Sequence, residues 1–124
     1  MTNYQKVHEF HEKFDALIGN KPSFPNEEIV ELRKSLIEEE LKEFYESIDN
    51  NDIVNAAKEL ADIIYVVQGT AISFGINLDK VFDLVHQNNM SKLQPDGTVK
   101  RREDGKVIKP DNFKKLQLQY EDLT

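Results

Sequence analysis

Two short stretches carry most of the side chains able to do chemistry. The first is Leu36-Ile37-Glu38-Glu39-Glu40-Leu41-Lys42-Glu43-Phe44, and the second, Glu59-Leu60-Ala61-Asp62, begins sixteen residues after Glu43. A helix turns about 100° per residue, which puts Ile37, Leu41, Phe44 and Ile48 on one apolar face. Glu40 then lies at the edge of that face, Glu43 beside it and Glu39 one step further round, while Glu38, Lys42 and Glu46 point away. Two or three carboxylates therefore stand together, partly turned inward, where repulsion and desolvation both disfavour them.

The second stretch lies in an unusually apolar segment. From Ile53 to Phe74 apolar residues occur nearly all the way round, a pattern of helices buried on most faces. Glu59 and Asp62 are three apart within it and share one side. Carboxylates in so apolar a helix need a compensating charge, and a divalent cation sharing oxygen ligands from two helices supplies one. A Glu-rich helix is ordinarily a solvated face, and Glu38 with Lys42 fits that description on the outer side. That account suffices for the first cluster alone. It does not cover Glu59 and Asp62, so the two clusters together point to a metal site.

Glu39-Glu40-Leu41-Lys42-Glu43 followed by Glu59-Leu60-Ala61-Asp62 resembles the EExxE…ExxD signature of the all-α nucleoside triphosphate pyrophosphohydrolases, the superfamily of MazG, all-α dUTPases, dCTP pyrophosphatase and phosphoribosyl-ATP pyrophosphohydrolase. Starting the signature at Glu38 would put Lys42 where its third Glu belongs. Arg33-Lys34-Ser35-Leu36 before the first motif, and His86-Gln87-Asn88-Asn89-Met90-Ser91-Lys92 after the second, are similar to the phosphoribosyl-ATP pyrophosphohydrolase-like branch. The resemblance runs from about Leu32 to Lys109. It implies Mg²⁺-dependent hydrolysis of a nucleoside triphosphate between the α- and β-phosphates, with Mn²⁺ as an alternative ion. It also implies roles: Glu40, Glu43, Glu59 and Asp62 to supply the metal's carboxylates, Glu39 to orient or deprotonate water, Asn89 to hold the sugar or a phosphate, and Lys92, Lys106 and Lys109 to contact phosphates. A homodimer or homotetramer is implied as well.

The elements that must position these groups read as follows. Residues 3–18 form a first helix, with Val7, Phe10, Phe14 and Leu17 at helical spacing, closed by Gly19-Asn20. His8 and His11 on it lack the zinc-protease spacing and read as surface or packing residues. Asn26 caps a second helix running to about Ile48, and Asp52 or Asn51 begins the apolar third helix, which ends near Gly75. A fourth helix runs from Asn77 to about Lys92. Asn89 sits on it where an apolar residue would continue the stripe, so it reads as an inward polar group. Thr98–Arg102 and Lys106–Lys109 read as a hairpin turning at Glu103-Asp104-Gly105. The last segment, 113–124, reads as a short arm.

The expected fold is thus all-α, a MazG-like bundle of four to five helices with a short C-terminal β-hairpin, forming one domain over residues 1–124. The third helix is too apolar for a lone bundle of this size to cover, which itself argues for self-association. The net charge of −7 argues against broad nucleic-acid binding. Charge is uneven: twelve Asp/Glu against four Lys/Arg over residues 27–62, and eight Lys/Arg against four Asp/Glu over residues 92–115. That distribution suits a metal-bound polyphosphate, or a basic tail docked on its own acidic body. No apolar run reaches the roughly 20 residues of a spanning helix, and the N-terminus lacks a signal-peptide pattern. With no cysteine there is no disulfide framework or thiolate nucleophile. A cytoplasmic protein without membrane partners is the expectation. The rivals are a non-catalytic helical assembly or nucleotide-binding module with structural carboxylates, and a di-iron bundle. The latter needs paired Glu-x-x-His motifs, and Asp83-Leu84-Val85-His86 is one poor match.

Overall fold

The computed structural model describes all residues from Met1 to Thr124. In chain order it has α1 (Asn3–Lys13), α2 (Glu27–Asp49), α3 (Ile53–Ser73), α4 (Leu78–Met90), β1 (Lys100–Arg101), β2 (Val107–Ile108) and a closing 3-10 turn, Tyr120–Leu123. This is the expected all-α bundle with a small C-terminal hairpin. No single helix is long and apolar enough to cross a membrane. The chain condenses into two compact units, one over residues 1–78 and one over residues 79–123.

In the first unit α2 packs along α3, and α1 lies on α3. Each helix begins where its sequence supplies an acceptor for the unsatisfied first-turn N–H groups. Thr2 and Gln5 form a reciprocal capping box on α1. Asn26 accepts from the Ile29 N–H at 2.9 Å, with Glu27 and Glu28 favourably placed in the first turn of α2. Asp52 accepts from the Asn55 N–H at 3.0 Å to start α3. Asn51, at φ 52°, makes the tight reversal between α2 and α3.

Helix α1 is shorter than the expected 3–18. Asp15 takes the left-handed conformation, φ 55°, and the Ala16 N–H closes back onto His11 O at 3.0 Å. Leaving the helix turns the Leu17 carbonyl inward, where it accepts from His11 Nδ1 at 3.0 Å and Ser73 Oγ at 2.9 Å. His11 and Ser73 are both buried, so the chain gives up a helical turn to satisfy them. His11 is thus a packing histidine and His8 an outward one paired with Glu12, as their spacing indicated. Beyond α3, Gly75 adopts φ 71°, and a Cβ there would run into the Lys21 carbonyl.

In the second unit α4 ends at Met90 rather than Lys92, its last turn tightened by Lys92 N–H to Asn89 O at 3.1 Å. The hairpin turns where expected but its paired segments are only two residues each, Lys100 opposite Ile108 and Arg101 opposite Val107. Asp104 lies in the turn, accepting from the Lys106 N–H at 3.0 Å and pairing with Arg102 at 2.8 Å, while the Arg102 N–H donates to Lys106 O at 2.8 Å. Asn88 holds the following segment as a strand would: its Nδ2 donates to Lys114 O at 2.8 Å and its Oδ1 accepts from the Leu116 N–H at 3.3 Å.

Candidate metal centre

Glu40 and Glu43 on α2 face Glu59 and Asp62 on α3. Each of the four offers an oxygen lying within 4.8 Å of those of the other three. Two polar clamps between the helices bracket this cluster. At one end Asn55 Nδ2 donates to Ser47 Oγ at 2.8 Å, and Ser47 in turn donates to the Glu43 carbonyl at 3.0 Å. At the other, Arg33 donates from Nε to Thr70 Oγ1 at 3.1 Å and from Nη2 to Val66 O at 2.9 Å. Residues 40 and 43 fall between 33 and 47, and residues 59 and 62 between 55 and 70, so the clamps fix the register that brings the carboxylates together.

Arg33 and Ser47 are buried. Desolvation lowers the Arg33 pKa from its ordinary value, yet the guanidinium has no carboxylate partner. Its room comes from Gly69, where a Cβ would run into Arg33 Nη2 and stand 3.0 Å from His11 Nε2. Sequence reasoning included Arg33 only as part of a family motif and missed its role. The signal was present: residue 33 is seven before Glu40, two turns back on the same helix face.

The electrostatics are those of crowded, partly buried carboxylates. Glu59 is 4% exposed. Glu40 is pushed up to about 7, first by burial, then by the charges of Glu43 and Asp62 and by hydrogen bonds with Glu43 and Glu59. Glu59 is also raised, by burial and by its hydrogen bond with Glu43, against the opposing charge of Lys58. Oε2 of Glu40 and Oε2 of Glu59 are both buried without any hydrogen-bond partner. Two orphaned carboxylate oxygens in one cluster are costly in a protein interior and call for a ligand. The donor set fits a hard divalent ion: Mg²⁺–oxygen bonds of about 2.1 Å place opposite ligands roughly 4.2 Å apart, less than 1 Å inside the spread seen here.

The remaining expected site residues lie outside this cluster. Glu39 is exposed and is not among the converging carboxylates. Asn89 is exposed at the end of α4, and its neighbour Asn88 is the one whose carboxamide is bonded to the chain, so the inward reading of Asn89 does not hold. Asn88 takes that place because two backbone groups need it. Lys92 is half-buried just past α4, and Lys106 is exposed beside the hairpin turn. Lys109 is exposed with its ammonium 5.2 Å from the centre of the Phe113 ring.

Residues 7–89 match the family model described as phosphoribosyl-ATP pyrophosphohydrolase, a span that contains all four carboxylates and both clamps. The chain belongs to the phosphoribosyl-ATP pyrophosphohydrolase family. It is similar to an uncharacterized protein of Acanthamoeba polyphaga mimivirus, 33% identical over 103 residues, covering 80% of this chain and 39% of that protein. The chain therefore spans about two fifths of the length of that relative. A crystal structure from Exiguobacterium sp. 255-15, of a protein assigned by inference as an NTP pyrophosphohydrolase, aligns with TM-score 0.50 and 24% identity over 93% of this chain and 89% of that one. That likeness supports the fold of this family member. The family match ends at residue 89, so Lys92, Lys106 and Lys109 lie beyond it.

Proposed function

We propose that this family member is a Mg²⁺-dependent nucleoside triphosphate pyrophosphohydrolase that cleaves between the α- and β-phosphates, releasing a monophosphate and pyrophosphate. The observation that carries the proposal is the convergence of four carboxylates, two with orphaned buried oxygens, inside the segment that matches the family. Glu40, Glu43, Glu59 and Asp62 would hold the cation. Mg²⁺, or Mn²⁺ in its place, supplies charge neutralisation for the departing pyrophosphate and a lowered pKa for the attacking water. Glu40, raised to about 7 by burial and by the charges of Glu43 and Asp62, would have to be deprotonated to serve as a ligand. Glu39, exposed and next to Glu40, is assigned the orientation or deprotonation of water. Asn89 is assigned the sugar or a phosphate, and Lys92, Lys106 and Lys109 the phosphates, each as a point charge.

Self-association belongs to the same proposal. Ile53, Leu60, Ile64 and Val67 lie along one stripe of α3 and are 81%, 48%, 48% and 38% exposed. So continuous an apolar stripe on a helix of a folded chain needs cover, and a homodimer or homotetramer provides it.

The test is a panel of nucleoside triphosphates, with phosphoribosyl-ATP included, incubated with Mg²⁺ and resolved by chromatography. Monophosphate and pyrophosphate are the expected products. Diphosphate with orthophosphate would contradict the assigned bond, and no hydrolysis at all would favour the nucleotide-binding module.

A further inference from the structure

Lys58 precedes Glu59 and stands one turn before Asp62. Its ammonium lies 2.8 Å from Asp62 Oδ2 and 3.6 Å from Glu59 Oε1. These are the ion pairs that the four carboxylates make; no other lysine or arginine reaches them. A lysine four residues before an aspartate on a helix is in itself an ordinary surface pair. The carboxylates it touches are not ordinary. Glu59, whose side chain is 5% exposed, has its second oxygen buried and unpartnered, and both residues belong to the cluster built to converge on one point.

We propose that Lys58 is a tethered place-holder, a cation that neutralises Asp62 and Glu59 while the centre lacks metal and is displaced when a divalent ion enters among the four carboxylates. The inference rests on the metal reading of the cluster. Its physical basis is competition for the same oxygens. An ion about 2.1 Å from an Asp62 oxygen sets two positive charges within roughly 5 Å of an ammonium bonded to that carboxylate. The lysine has little to hold it there: its side chain is 66% exposed and regains rotamer freedom and full hydration on leaving. Glu59 and Asp62 meanwhile exchange one shared, off-centre charge for a divalent one. The device keeps an anionic cluster tolerable in the empty protein without blocking the cation's way in.

The experiment follows the amine itself. Lys58 acylation by an amine-reactive reagent is read by mass spectrometry as Mg²⁺ is added, with Lys34 as the internal reference. Lys34 also sits in an exposed pair, 3.4 Å from Glu31, but outside the cluster. Lys58 reactivity should rise about two- to five-fold at saturation, the range an exposed ion pair commands, while Lys34 stays constant. In calorimetry Lys58→Met should bind Mg²⁺ several-fold more tightly than the unmodified protein, and its metal-free Tm should be lower. Saturating Mg²⁺ with no change at Lys58 overturns the inference, because the ammonium then stays on Asp62. So does weaker Mg²⁺ binding by Lys58→Met, which would make the lysine a support for the ligand. If the unmodified protein takes up no Mg²⁺, the metal reading itself has failed, a result distinct from either, and the place-holder falls with it.

Discussion

The two charged regions of this chain are built in opposite ways. The acidic centre sits on the two longest helices, whose register is held by buried polar clamps, Arg33 on Thr70 and the Val66 carbonyl at one end and Ser47 with Asn55 at the other. The basic region after α4 hangs on two-residue strands, side chains bonded to nearby backbone, and cations that are mostly exposed. A preorganised array of like charges costs stability in the absence of its ligand and demands a rigid frame. Exposed lysines on short loops cost little and can adjust to a ligand. The contrast suits the proposed roles, metal binding for the first region and adjustable phosphate contacts for the second, and it can be broken at either end.

The largest effect should come from the acidic centre. Asp62→Ala or Glu43→Ala should reduce Mg²⁺-dependent hydrolysis by more than the roughly 10- to 100-fold that removal of a supporting group costs. Circular dichroism should show the helices intact. Near-normal turnover in both variants would falsify the ligand assignment.

Next come the clamps. Arg33→Ala removes two hydrogen bonds from a charged, buried donor and should cost about 3 kcal/mol in chemical denaturation. Gly69→Ala drives a Cβ into the same guanidinium and should cost roughly 1–3 kcal/mol. Both should also weaken Mg²⁺ binding, since the register of α2 on α3 is what aligns the ligands. Stability lost with metal affinity untouched would show that the clamps hold the fold and not the centre.

Which of these features the sequence made legible follows from their physics. The carboxylate pairs could be read because helical periodicity converts spacing directly into a shared face, and the caps Asn26 and Asp52 mark where that periodicity starts. The end of α1 could not, because it is set by a tertiary demand: the Leu17 carbonyl must serve His11 and Ser73, a residue 56 positions away. The choice between Asn88 and Asn89 depends on a backbone segment 26 to 28 residues further on, which no local pattern encodes. The turn signals mark where the hairpin reverses but not how far its strands pair, which is two residues each. Arg33 was within reach of a face argument, but a lone arginine on a charged helix ordinarily reads as solvated.

A pH effect of intermediate size should separate the empty from the loaded centre. Burial and its neighbours raise Glu40 from an ordinary 4.5 to about 7 in the folded chain, and Glu59 shifts the same way. The native state therefore holds these protons more tightly than the unfolded chain does. Their contribution to stability is fully present below the unfolded value and is lost as pH rises through about 7. The metal-free Tm should fall between pH 5 and pH 8, and Glu40→Gln should flatten that slope. Saturating Mg²⁺ needs the deprotonated carboxylate, so the metal-induced rise in Tm should grow over the same interval. A metal-free Tm that climbs with pH through this range would contradict the electrostatic account.

The smallest effects belong to the basic region. Lys92→Ala or Lys106→Ala should raise KM by a few-fold at low salt and less at high salt, with Tm almost unchanged, as for exposed phosphate contacts. Unchanged kinetics at both ionic strengths would remove that lysine from the site without touching the acidic centre.

Every proposed role of this site depends on the four carboxylates of α2 and α3 binding a divalent cation as a set. Isothermal titration of Mg²⁺ into the purified, metal-stripped protein at pH 8 tests it without assuming any substrate. Saturable binding is expected, and it should be lost in both Glu43→Ala and Asp62→Ala. Binding that survives both substitutions, or no binding in the unmodified protein, would contradict the claim.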